Sequence, residues 1–109
     1  MGSNCDFRVS FEPAMTEAQE SVVLERLYSI SDYRATRWQS EGMGAHDLDD
    51  ARWSRVNEDL QRLSSEFPNL RITCWQRYHD DDTQFMIYVH RTQIEVVEGE
   101  ITFRGRTLW

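Results

Sequence analysis

The amino-acid sequence predicts an α+β two-layer sandwich, an antiparallel sheet of four to five strands with two helices on one face. Three observations carry this. Apolar and polar residues alternate with period two near the start of the chain and again, repeatedly, after Leu70. Two intervening stretches place their apolar residues at helical spacing instead. The 109 residues contain no repeat and no low-complexity tract, and that length suits one domain spanning residues 1–109.

In the first strand, Asp6–Glu12, the residues Phe7, Val9 and Phe11 alternate with Arg8, Ser10 and Glu12, and Pro13 ends the run. Residues 1–5 are expected to be disordered or tag-derived, because Gly2-Ser3 resembles an expression scar. Thr16 stands three residues before Gln19, a capping-box spacing, and Val23, Leu24, Leu27 and Tyr28 follow on one side. Glu17–Ser29 therefore reads as the first helix, with Glu17 and Glu20 near its positive end. Residues 31–46 are ambiguous. "YRATRWQ" reads as a short strand or as loop, and the two glycines of "EGMGA" read as loop.

The second helix is the clearest element. Trp53, Val56, Leu60, Leu63 and Phe67 form an apolar stripe at spacings of 3, 4, 3 and 4. Asp47 or Asp49 is expected to cap its start, and Arg55–Asp59 and Glu58–Arg62 to pair on its polar face. Pro68 stops it. The remainder reads as strand: "LRITCWQRY", "QFMIYVH" and "QIEVVEGEITF", the last with a turn or bulge at Glu98-Gly99.

Composition removes several kinds of chemistry. The net charge is −7, and all twelve basic residues are arginines. Without lysine there is no Schiff-base nucleophile and no phosphate-loop lysine. An acidic chain repels nucleic acid unless its arginines cluster; the closest pairs, Arg52/Arg55 and Arg104/Arg106, do not amount to a patch, so direct nucleic-acid binding is not expected. Two cysteines, Cys5 and Cys74, cannot build a disulfide framework and fit free thiols in a reducing cytoplasm. No apolar run reaches membrane-spanning length, so no membrane partner is expected.

The stretch "RYHDDDTQF" joins two predicted strands through His79, Asp80, Asp81 and Asp82. Aspartate tolerates turn geometry and bonds its own backbone, so a hairpin turn accounts for it. An acidic docking patch shared with Asp47, Asp49 and Asp50 is the functional alternative. A metal or enzymatic site using His79–Asp82 is a further one, although "DDDT" lacks the alternating ligands and glycine of a calcium loop. His46, His79 and His90 lack any helical ligand spacing and are expected to be solvated or locally bonded. Cys74 alternates with core residues and reads as a buried small hydrophobe. No serine sits in a nucleophile elbow, and nothing nominates a general acid or base. No catalytic residue, cofactor or metal is therefore expected.

Trp53 reads as core. Trp75, Met86 and Tyr88 lie on strand faces opposite the aliphatic sets, with Arg71, Arg77 and Glu95. If helices cover one face, the other displays an aromatic–arginine surface of the kind interfaces use, unless another part of the chain covers it. Trp38, from the ambiguous segment, joins Trp75 and Tyr88 as a candidate partner contact.

Residues 53–103 carry "WSRVNEDLQRLSSEFPNL", "RITCWQRY", "HDDDTQ" and "FMIYVHRTQIEVVEGEITF". This half of the chain resembles the C-terminal half of small ferredoxin-like domains of phage- and plasmid-encoded proteins. That group includes inhibitors of bacterial defence systems of the anti-CRISPR type, which share no sequence motif, so no functional residue carries over. The resemblance implies a ferredoxin-like variant. With the acidity and the lack of catalytic motifs, it implies a non-enzymatic interaction module that occludes a basic nucleic-acid-binding protein of a bacterial defence complex. A homodimer of structural role remains open beside it.

Overall fold

The computed structural model describes residues 4–42 and 44–99. Its elements are β1 (Cys5–Glu12), α1 (Glu17–Ser31), a 3-10 turn (Ala35–Arg37), β2 (Trp38–Gly42), β3 (Ala45–Ala51), α2 (Val56–Glu66), β4 (Arg71–Tyr78), β5 (Gln84–His90) and β6 (Gln93–Glu98). The strands form one antiparallel sheet of order β2-β3-β1-β4-β5-β6. In its first four strands, two β–α–β units interleave. This is consistent with a ferredoxin-like arrangement, here extended by β5 and β6.

Register assigns the two faces. Phe7 stands opposite Leu48 and Gln76, and Val9 opposite His46 and Cys74. These inward residues join Cys5, Phe11, Ile72, Ile87 and Val89 in one core with Val23 and Leu27 of α1 and Leu60 and Leu63 of α2. Both helices therefore pack on the same face of the sheet. Burying one large aliphatic side chain contributes about 1.5–3 kcal/mol, so this shared face dominates the stability.

The predicted capping box is present: Thr16 Oγ1 accepts the Gln19 amide, and Gln19 Oε1 accepts the Thr16 amide. α1 runs two residues beyond the expected Ser29 and stops at Asp32, whose left-handed φ is 64°. The "YRATRWQ" segment, read as a short strand or loop, is a single 3-10 turn over Ala35–Arg37, and the strand β2 begins only at Trp38.

Several expectations change. The sheet has six strands rather than four to five. The added strand is β3, where Asp47 and Asp49 lie instead of capping a helix. "AHDLDDA" has Leu48 as its only large aliphatic residue, and it is strand because β1 and β2 pair with it on both sides. The expected "EGMGA" loop shrinks to a tight β2–β3 connection, with Gly42 opposite Ala45 and Gly44 at φ 75°. α2 starts at Val56 without a side-chain cap. Trp53 Nε1–H instead donates to Asp59 Oδ2 at 2.7 Å, and Arg55 pairs with Glu58 rather than Asp59. At the N-terminus, Asn4 and Cys5 belong to the folded structure, with Cys5 buried in β1. The expected continuation of the last strand through Ile101 and Phe103 lies outside the described residues.

Trp38 is buried, contrary to its reading as a partner contact. Its ring stands 5.9 Å from Trp53 and 6.1 Å from Tyr28, and Trp53 packs edge-on to Phe7 at 5.4 Å. Its indole N–H donates to the Tyr33 carbonyl. Truncating it opens a cavity among aromatic rings, so Trp38→Ala should cost about 3–5 kcal/mol in urea unfolding. A loss under about 1 kcal/mol would contradict this core role.

Candidate functional site

On β1 the side chains between the buried ones point away from the helices. Asp6 is the first of these, and its register neighbour on β4 is Arg77. On the other flank, β1 advances two residues from Cys5 to Phe7 while β3 advances three, from Ala51 to Leu48. The extra residue makes a bulge at Asp49–Asp50, and bulges re-aim the chain. Asp50 adopts φ 52°, a left-handed conformation that aspartate tolerates better than most residues.

The bulge is held on every side. The Asp50 amide donates to Asp6 Oδ1 at 3.0 Å, and Asn4 Nδ2 donates to Asp50 Oδ1 at 2.7 Å. Arg37 Nη2 donates to the carbonyls of Asp49 and Asp50 at 2.9 and 3.2 Å, with its guanidinium 5.3 Å from the Tyr33 ring centre. Arg52 Nε donates to Asn4 Oδ1, and the Arg52 amide donates to Tyr33 Oη.

The "HDDDT" hairpin meets the bulge at this same end of the sheet. His79 Nε2 lies 2.7 Å from Asp6 Oδ1, and its Nδ1 lies 3.5 Å from Asp50 Oδ1. The His79 amide donates to the Asn4 carbonyl. Arg77 Nη2 donates to Asp6 Oδ2 at 2.7 Å, and Arg77 Nη1 stands 3.9 Å from Asp82. Asp81 Oδ1 accepts the Thr83 amide, which closes the turn and holds that carboxyl below its ordinary range. "HDDDT" is thus a turn, as its residue types require, and also a turn anchored to the centre of the sheet.

Asp6 is the hub. Burial works to raise its pKa, but the Asp50 amide, His79 and Arg77 together outweigh that and hold it at about 2. The hydrogen bond to Asp6 is the main cause that raises His79, opposed by its desolvation and by Arg77.

The predicted acidic residues divide. Asp49, Asp50, Asp80 and Asp82 are exposed at this end, Asp82 at 80 %. Asp47 is engaged instead in a two-pronged bond with Arg8, at 2.7 and 2.8 Å. Trp75 and Tyr88 do lie on the face away from the helices, where Trp75 stands opposite Met86 and Arg8. Their availability differs. Trp75 is half-buried, donates to Gln84 Oε1 and carries the Arg77 guanidinium 5.8 Å from its ring centre. Tyr88 is only 2 % exposed and stands outside the helix-covered core, so it is not displayed.

Sequence reasoning did not single out Asn4, Asp6 or Arg37, and placed Arg77 on the aromatic face without its bond to Asp6. A charged residue opening a strand was the only signal for Asp6, and its partners are set by register. His46, expected to be solvated or locally bonded, is the bonded kind and is buried, with Nδ1 3.1 Å from Ser40 Oγ and Nε2 3.6 Å from Glu20. Cys74 is buried as expected, and desolvation pushes its thiol far up, away from nucleophilic use.

Chemically, the cluster is a set of carboxylates positioned by arginine, histidine and backbone amide donors. Both ring nitrogens of His79 face carboxylates. Among the described residues, no group of three or more His, Cys, Asp or Glu side chains is arranged to hold a metal ion. Also among them, no helix is long and apolar enough to cross a membrane. Comparison with family models, with characterised proteins and with solved structures found no match.

Two outcomes follow from this geometry. Asp6 has a lowered pKa, so its stabilisation is complete above its ordinary 3.8 and is lost as pH falls towards about 2. His79 has a raised one, so its share is complete below 6.5 and is lost as pH rises through its folded value. Urea unfolding should therefore show greatest help from this pair between about pH 4 and 6.5. Asp6→Asn should lower stability there by on the order of 1–2 kcal/mol. An Asn variant whose pH profile overlays the parent would refute the hub role. At the bulge, Asp50→Asn should stay within about 0.5 kcal/mol of the parent by the same measurement. Asp50→Val forces a β-branched residue into left-handed backbone and should cost about 1–2 kcal/mol more.

Proposed function

We propose that this protein is a small non-enzymatic interaction module whose acidic end docks a basic, nucleic-acid-binding surface of another protein. One observation carries the reading. Exposed carboxylates from two separate segments, Asp49 and Asp50 on the bulge and Asp80 and Asp82 on the hairpin, converge on one end of the sheet and are braced from behind by Asp6, His79 and Arg77. Carboxylates held in place cost less conformational entropy on binding than free ones, and they steer a positive partner by charge. The net charge of −7 adds to that steering.

The resemblance of residues 53–103 to small ferredoxin-like phage and plasmid proteins supports a narrower form. In it, the module is a mobile-element inhibitor that covers the nucleic-acid channel of a bacterial defence complex of the CRISPR type. Trp75, half-buried beside Arg77, then supplies apolar contact near the acidic end.

The test combines affinity capture from bacterial lysate with kinetics on the recovered partner. Substituting Asp49, Asp80 and Asp82 together with Asn should slow association several-fold at low salt and flatten its salt dependence, with the fold intact. Trp75→Ala should chiefly speed dissociation. Failure to recover any stoichiometric partner, or an association rate indifferent to the three substitutions at low salt, would count decisively against the proposal.

A further inference from the structure

We infer that His79 is a pH-dependent clamp on the acidic end: its imidazolium ties Asp50 of β3 to Asp6 of β1, and loss of one proton releases the Asp50 carboxylate. The clamp regulates the surface assigned above, and its consequence for docking rests on that reading; the clamp itself rests on geometry alone.

A neutral imidazole has one N–H donor and one lone pair, whereas the imidazolium has two donors. His79 presents one nitrogen to a carboxylate oxygen at 2.7 Å and the other at 3.5 Å. Only the doubly protonated ring is attracted to both. In the neutral ring one lone pair must face an anion. The shorter bond, Nε2 to Asp6, keeps the remaining hydrogen, because Asp6 is fixed by Arg77 and by the Asp50 amide as well. Nδ1 then opposes Asp50 Oδ1. The Asp50 side chain is 67 % exposed, and its other tie is Asn4, so it is the partner free to swing outward.

The surrounding charges favour a bound proton. Asp6 on β1 and Asp50 on β3 attract it, while Arg77 on β4 repels it and is itself spent on Asp6 and Asp82. Asp49 on the bulge acts on Arg77, and Arg52 reaches the cluster only through Asn4. The raised pKa of His79 has the same sense, its chief cause being the bond to Asp6. With the clamp closed, the acidic end carries one negative charge fewer and the exposed Asp50 carboxylate is tied to the ring. With it open, the end gains a negative charge towards a cationic partner and Asp50 keeps only its tie to Asn4.

The experiment is an NMR pH titration of the full chain without partner. It follows the His79 ring carbon-bound protons and the Asp50 side-chain carboxyl carbon. Both should move with one shared midpoint above 6.5, the ordinary histidine value. In Asp50→Asn the His79 midpoint should fall, and in His79→Gln the Asp50 inflection at that pH should vanish while the rest of the spectrum is kept. Two results would overturn the clamp: an Asp50 signal with no inflection at the His79 midpoint, or a midpoint unmoved by Asp50→Asn. No partner enters the titration, so a failed docking experiment bears on the docking reading alone and a failed titration on the clamp alone.

Discussion

β1 is hydrogen-bonded on both edges, to β3 and to β4, so each of its side chains is committed to one of two environments. Cys5, Phe7, Val9 and Phe11 go under the helices and Asp6, Arg8, Ser10 and Glu12 go to the other side. A slip of one residue in this strand would bury Asp6 and Arg8 and expose two phenylalanines, at a cost of several kcal/mol per buried charge. The same alternation that seals the core therefore places a carboxylate in the middle of the sheet's opposite face. Everything at the acidic end is organised around that carboxylate.

Asp6 matters because its bonds join three strands. Arg77 and His79 come from β4 and its hairpin, and the Asp50 amide from β3. Charge-assisted bonds to a mostly desolvated carboxylate are individually stronger than bonds between neutral groups. The helix-surface pairs Arg26–Glu66 and Arg55–Glu58 have equally short distances but lie in solvent, where such pairs contribute about 0–1 kcal/mol. Equal geometry at different exposure gives different consequences. The bonds to Asp6 tie the acidic end together, while the helices owe their positions to Leu27, Leu60 and Leu63.

Bonding and charge repulsion there pull in opposite directions. Bringing Asp6, Asp49, Asp50, Asp80 and Asp82 to one end of a sheet raises their mutual repulsion. Arg77, Arg37 and His79 offset it from behind without covering the exposed oxygens. Asp49, Asp50, Asp80 and Asp82 thus stay exposed while Asp6, only 15 % exposed, takes up Arg77 and His79.

The elements whose own pattern met one period were legible from the chain alone. β1, the start of α1 with its Thr16–Gln19 box, the α2 stripe, β4 and β5 all follow from local spacing, because side-chain burial on one face is a local consequence of period two or 3.6. The anionic character of "HDDDT" and its turn were legible for the same reason. Tertiary structure decided the rest. β3 is a strand because its neighbours supply its hydrogen bonds, and Asp47–Asp50 carry no apolar period that announces this. Trp38 is core because it meets Trp53 and Tyr28, which sequence separation hides. Asp6, Asp50 and His79 form one cluster only once β1 lies between β3 and β4. Pairing register between distant segments is set by what the whole core buries, and no local stretch of sequence encodes it.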